Sequence, residues 1–182
     1  MNPVTILNST EFELTINRLC YQLIEDHDDL SNAALIGLQP RGIYLLARIE
    51  KVLKKILGHD DILTGHLDIT FHRDDIRRHD VPPSPSSTDL DFDLEGKNVV
   101  LVDDVLFTGR TTRAGLEALL HFGRPDKVQL MCMIDRRFSR HLPIQPDYIG
   151  RWVDTIASER VEVRWKEIDG QDKVILYSDK EK

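Results

Sequence analysis

Residues 99–112 read VVLVDDVLFTGRTT, and the parts of this string have separate chemical uses. Asp103 and Asp104 follow an apolar run that predicts a buried strand, so they stand at its tip. Two adjacent carboxylates there can accept hydrogen bonds from vicinal hydroxyls such as those of a ribose. Val105, Leu106 and Phe107 lead into Thr108, Gly109, Arg110, Thr111 and Thr112. Hydroxyls, a flexible glycine and free backbone N–H groups at a helix start make a phosphate cradle. Taken singly, an Asp-Asp pair only ends a strand and a threonine only caps a helix. The whole string in this order is far more specific.

An element order that aims such a tip is legible around it. Lys97 to Val102 predicts a strand, Thr112 to His121 a helix, and Lys127 to Asp135 a second apolar strand. That order builds a parallel sheet with helices on its faces, and ligands bind at the carboxyl ends of its strands. Upstream, apolar residues recur at helical spacing over Thr10–Glu25, with Thr10 and Glu13 placed as a capping box. Ala33 to Leu38 predicts a buried strand ending in the turn Gln39-Pro40-Arg41-Gly42, then a helix over Ile43–Leu57 closed by Gly58. Leu63 to Phe71 alternates as a strand should. His72 to Glu95 is polar, with prolines and serines over Val81–Ser87, which predicts one long mobile lid loop. After Pro143 come strand-like pieces at Tyr148-Ile149, Val161–Trp165 and Lys173–Tyr177, with no strong helix.

A chain of 182 residues, 41% hydrophobic and 30% charged, fits one soluble domain over 1–182. Its start does not resemble a signal peptide and no stretch is apolar enough to cross a bilayer, so a cytoplasmic protein without membrane contact is expected. Cys20 and Cys132 sit in apolar contexts and read as reduced, buried thiols. A net charge of −7 argues against a general nucleic-acid binder but leaves room for a local basic face. The charge is uneven, however: Arg136 to Lys166 holds seven Lys or Arg against four acids, a net of +3. That segment is either solvated surface or a face turned towards an anion.

Further motifs carry a family resemblance. Ile36-Gly37-Leu38-Gln39-Pro40-Arg41-Gly42, Asp68-Ile69-Thr70-x-x-Arg73-Asp74-Asp75, Thr111-x-Arg113-Ala114-Gly115, Phe122-Gly123-Arg124-Pro125 and Leu142-Pro143-Ile144 join the 99–112 string. Together they resemble the PyrR family, pyrimidine operon attenuation regulators that are also uracil phosphoribosyltransferases. The resemblance covers about residues 4 to 177. It implies an α/β, type I phosphoribosyltransferase fold: a central, mostly parallel sheet flanked by helices, with a small hood from the terminal segments and a mobile lid.

By position, the resemblance implies that 5-phosphoribosyl-1-pyrophosphate (PRPP) is held by Gln39, Pro40, Arg41 and Gly42 and by Asp103 through Thr112. Arg41 and Arg73 then lie at the leaving pyrophosphate, and with Asp103 and Asp104 they form the catalytic set. Mg²⁺ enters with the phosphates of PRPP, since the sequence has no metal-ligand cluster of its own. Asp135, Arg136, Arg151, Trp152 and Val153 correspond to the nucleobase wall, where Trp152 fits either stacking on a base or covering the core. Arg18, Arg137, Arg140 and Arg151 are the candidates for binding leader mRNA of a pyrimidine operon along a dimer face. Uracil, UMP and UTP are the implied small-molecule partners, and a homodimer or larger homo-oligomer the implied assembly.

Two segments depart from the family pattern. Asp135-Arg136-Arg137-Phe138-Ser139-Arg140-His141 is one residue longer than the family's Asp-Arg-Gly-His-Arg-Glu, and Arg151 to Ile156 replaces Lys-Asn-(Ile/Leu)-Pro-Thr-Ser. They leave room for a regulator that binds PRPP or UMP and RNA without turnover, or for a purine-type phosphoribosyltransferase.

Overall fold

The apolar runs pair side by side in a computed structural model that describes residues 2–74 and 87–178. Strands β2 (Ala33–Leu38), β3 (Leu63–Leu67), β4 (Asn98–Leu106), β5 (Lys127–Arg137) and β6 (Tyr148–Asp154) form a parallel sheet in the order β3-β2-β4-β5-β6. β2 and most of β4 are covered on both faces, which is why they read as continuous apolar runs. Helices α1 (Ser9–His27) and α2 (Gly42–Leu57) cover one face, burying Leu35, Val100, Val102, Met131 and Met133. Helix α3 (Arg110–Leu119) covers the other, over Ile36, Leu38, Val99, Leu101 and Cys132.

The terminal segments build a second, antiparallel sheet from β1 (Asn2–Leu7), β7 (Arg160–Arg164) and β8 (Lys173–Ser178), in the order β1-β8-β7. A short helix, α4 (Lys166–Asp169), lies between its last strands, and the sheet stands where the family resemblance implies a hood. Trp165 pins it down: the indole is fully buried, edge-on to Phe12 of α1 at 5.1 Å and near Tyr44 of α2 at 6.2 Å. A buried tryptophan of this size contributes roughly 5 kcal/mol of transfer free energy. Arg48 of α2 reinforces the junction through Glu167 and Asp172.

Several expected boundaries are corrected. α1 starts at Ser9 and its capping box is Asn8 with Glu11, not Thr10 with Glu13. β3 stops at Leu67 and Thr70–His72 forms a tight 3-10 turn, because Asp68 accepts both the N–H and the hydroxyl of Thr70. β4 runs on to Leu106, and α3 begins at Arg110 behind Gly109 (φ 88°), two residues before the expected Thr112.

The lid expectation needs the largest correction. Residues 75–86 lie outside the described residues, but 87–95 do not belong to a mobile loop. Asp89 exchanges backbone hydrogen bonds with His66 of β3, Leu90 and Phe92 pack on the α3-side core, and Leu94 is fully buried. Three apolar side chains at alternate positions hold this stretch against the sheet. Both cysteines are buried and unpaired, as expected. No helix among the described residues is long and apolar enough to cross a membrane.

Candidate active site

The carboxyl ends of β2, β4 and β5 converge on one end of the sheet. Gly37 of β2 pairs with Val102 of β4, so the turn after β2 lies beside the Asp103–Asp104 tip. Gly42 makes that approach possible. A Cβ on it would lie 2.2 Å from the carbonyl oxygen of Val102, so only glycine lets α2 start this close to β4.

Asp103 and Asp104 lie inside the last part of β4, 7% and 8% exposed. The Asp104 N–H donates to Asp103 Oδ1 (2.9 Å) and the Val105 N–H to Asp104 Oδ1 (2.8 Å). Burial, and then the neighbouring Asp104 charge, pushes the Asp103 carboxyl well above the usual carboxylate range; the Asp104 N–H and the Arg73 guanidinium pull the other way. Burial raises Asp104 as well, opposed by Arg41, whose Nε donates to Asp104 Oδ2 at 3.0 Å. Two acidic groups held this dry, with acceptor oxygens to spare, are suited to partners that bring hydrogen-bond donors, such as sugar hydroxyls.

Beyond the carboxylates the chain bends into α3. A cavity of about 280 Å³ is lined by Arg73, Asp103 and the run Val105 to Thr111. The N-cap Gly109 offers α3 no side-chain cap, and only the Thr108 hydroxyl approaches its first N–H, that of Arg110 at 3.4 Å, which leaves the positive end of that helix facing the loop. The structure thus brings together Arg73, Asp103, Val105, Leu106, Phe107, Thr108, Gly109, Arg110 and Thr111, which the sequence had grouped. Thr112 is 2% exposed and its hydroxyl is buried in the interior, outside the cavity lining.

Arg41 reaches Asp104 and the Val163 carbonyl of β7, with Asp169 at 3.9 Å, so it spans the sheet tip and the hood. Gln39 donates its side-chain N–H to the Ser87 carbonyl at 2.8 Å. It therefore holds one root of the segment that leaves the described residues. Arg110, paired with Asp74, and Arg113, donating to the His72 carbonyl, hold the other. Sequence spacing gave no sign of these anchors. Pro40 follows a cis peptide bond.

The expected nucleobase set divides. Asp135 and Trp152 are register partners on β5 and β6 and line a wider cavity of about 650 Å³ with Arg137, Phe138, Arg140 and Ile149. Trp152 is 59% exposed there rather than covering the core. Val153 is buried in the core, Arg151 is exposed and donates to the Ile6 carbonyl, and Arg136 is almost fully buried. The RNA candidates also have intramolecular partners. Arg18 holds the Ile149 and Gly150 carbonyls, Arg137 grips Asp154 through two hydrogen bonds, and Arg140 grips Asp135 and the Phe107 carbonyl.

Cys132 is the register partner of Asp103, but burial drives its thiol well up, as it does Cys20, pushed up to about 12. Neither supplies a thiolate. Among the described residues no three His, Cys, Asp or Glu side chains converge to hold a metal ion. A carboxylate pair beside a phosphate cradle does fit Mg²⁺ held mainly by phosphate oxygens and water.

Known proteins resemble this chain in sequence and in fold. Residues 4–167 match the family model of the phosphoribosyl transferase domain. The chain is 41% identical to the bifunctional protein PyrR of Elusimicrobium minutum, covering 94% of each chain. It is 43% identical to that of Desulfosudis oleivorans, again with 94% of each covered, and 43% to that of a Picosynechococcus, covering 95% and 96%. Among solved structures, a hypoxanthine phosphoribosyltransferase of Trypanosoma cruzi superposes with a TM-score of 0.72 at 13% identity, covering 95% of this chain and 90% of that one. One from Staphylococcus aureus superposes at 0.69 with 17% identity, covering 94% and 90%. These two share the fold.

Proposed function

The chain belongs to the PyrR family of phosphoribosyl transferase-domain proteins, and we propose that it transfers the phosphoribosyl group of PRPP to uracil and regulates a pyrimidine operon through its leader mRNA. The observation that carries the enzymatic half is the cavity that joins Asp103, Arg73 and Phe107–Thr111 at the start of α3. There the 5′-phosphate meets the loop N–H groups and the helix dipole, while Asp103 and Asp104 accept the ribose 2′ and 3′ hydroxyls. In the reaction the C1′–O bond to pyrophosphate breaks, a ring nitrogen of uracil bonds C1′ and loses its proton to solvent, and UMP and diphosphate leave.

No nucleophilic side chain is needed. Catalysis rests on fixing the ribose and on neutralising the departing pyrophosphate, the task of Arg41 and Arg73. Mg²⁺, with Asp103 and Asp104 as the protein's share of its surroundings, would supply further charge neutralisation on the phosphates. Arg41, tied to Asp104 and the Val163 carbonyl, exchanges these partners for pyrophosphate oxygens. Uracil lies toward β5 and β6, where Trp152 is the open side chain and Asp135, gripped by Arg140, stands behind it in the cavity wall.

The regulatory half rests on the basic segment 136–166, with Arg137, Arg140 and Arg151 in it, and on Arg18 of α1. A homodimer or larger assembly is supported by apolar side chains left uncovered at Phe71 and on α3 and its end, at Leu116, Leu120 and Phe122. The protein acts in the cytoplasm in this reading. The test of the enzymatic half is an Asp103→Asn, Asp104→Asn double variant, in which PRPP turnover should fall at least about a hundredfold. Turnover near that of the unchanged chain would sink the assignment.

A further inference from the structure

We infer that Arg136 is a positioning residue, which locks a wall of the PRPP cavity to the segment joining the two sheets, and not a nucleobase contact. The inference rests on the reading above that this cavity takes PRPP. Arg136 stands near the tip of β5 and is 5% exposed, and it lines neither of the two cavities at this end of the sheet. Its guanidinium carbon lies 3.8 Å from the centroid of the Phe107 ring. In the same pose Nε donates to Thr155 Oγ1 (3.0 Å) and Nη2 to the carbonyls of Ile156 (3.3 Å) and Glu159 (2.8 Å).

Each end of this clamp matters to the site. Phe107 lines the PRPP cavity beside Asp103 and Thr108. Its carbonyl is gripped by Arg140, which also grips Asp135. The phenyl face and the carbonyl of this one loop residue are thus both held from the 135–140 segment. At the other end, residues 155–159 connect β6, the outer strand of the main sheet, to β7 of the hood. A planar guanidinium can stack on a ring while donating in its own plane, and burial strengthens both interactions. An ammonium group supplies a point charge and cannot keep this geometry. Nε, Nη2 and one face of the Arg136 head group are thus committed inside the fold, and the side chain lies outside the lining of both cavities.

The test uses Arg136→Met, Arg136→Lys, Phe107→Leu and the Arg136→Met, Phe107→Leu double variant, each assayed for kcat and for KM of PRPP and uracil separately, with thermal melts alongside. PRPP binding by the unchanged chain is measured first; its absence would sink the functional reading itself and not this inference. The expected result is a KM for PRPP raised about tenfold or more in Arg136→Met and in Phe107→Leu, with the KM for uracil within about twofold. The double variant should be no worse than the more affected single variant, because both break one contact. Arg136→Lys should keep the PRPP defect, since an ammonium cannot stack on Phe107 while donating to all three acceptors. Should Arg136→Met fail to fold, Phe107→Leu alone decides, since it leaves the three hydrogen bonds of Arg136 in place. A raised KM for uracil with an unchanged KM for PRPP, or additive effects in the double variant, would overturn the inference.

Discussion

Replacing Gly42 with alanine tests how closely the site depends on the approach of α2 to β4. The new Cβ would sit 2.2 Å from the Val102 carbonyl oxygen and 3.1 Å from the Asp103 Cα. A close carbon–oxygen contact needs about 3.3 Å, so the start of α2 must retreat by roughly 1 Å from backbone that cannot yield. Overpacking of this kind costs about 1–3 kcal/mol of stability. The displacement also falls between Arg41 and Asp103, where a misplacement of about 1 Å costs on the order of a hundredfold in rate. Gly58, at the far end of the same helix, is the control. It has φ 75°, and a methyl group there would meet no atom within 4 Å, so Gly58→Ala should lose about 1–2 kcal/mol through backbone strain alone. Urea denaturation and steady-state kinetics are measured on both variants. The expected outcome is comparable destabilisation, with kcat/KM for PRPP reduced about a hundredfold in Gly42→Ala only. Full activity in Gly42→Ala, or an equal loss in Gly58→Ala, would refute the reasoning.

Asp103→Asn alone should make the protein more stable at neutral pH while lowering PRPP turnover by about tenfold or more. The raised carboxyl means that the folded chain binds more protons than the unfolded one across the gap between their titrations, so this residue's contribution to stability falls as pH rises through that gap. The gain should therefore be largest at neutral pH and shrink on acidification, read from melting curves; a neutral-pH melting temperature below that of the unchanged chain would contradict it. For the regulatory half, a pyrimidine-operon leader RNA should bind more tightly than an unrelated hairpin at the same salt. Arg137→Ala should weaken that binding and reduce the slope of its salt dependence by about 1, as for the loss of one phosphate contact; equal binding of both hairpins would remove the RNA proposal.

The centre of this fold is legible because its signals are local. An uninterrupted apolar run marks β4 as buried on both faces, and the acidic tip, Thr-Gly turn and helix start follow within a few residues. The grouping of Asp103 with Phe107–Thr111 needed no tertiary information. The start of α1 is harder to read, since Asn8 with Glu11 and Thr10 with Glu13 have the same capping spacing, and only the reciprocal hydrogen bonds of Asn8 and Glu11 in the folded chain separate them. The lid was read too long because the acids between Leu90, Phe92 and Leu94 hide an alternation that packs against β3 and α3. Arg136, Arg137 and Arg140 look equivalent in a basic string. Which of them enters the interior depends on Phe107 and on a carbonyl, that of Ile156, 20 residues away, a placement that spacing does not encode.

The measurement that bears most directly on the central claim is pyrophosphate release from PRPP in the presence of Mg²⁺, with uracil, hypoxanthine and guanine offered separately. Release is expected with uracil and little with either purine, and it should be lost when Asp103 and Asp104 are both replaced by asparagine. Release driven by a purine, or no release with any base from a chain that still binds PRPP, would contradict the assignment.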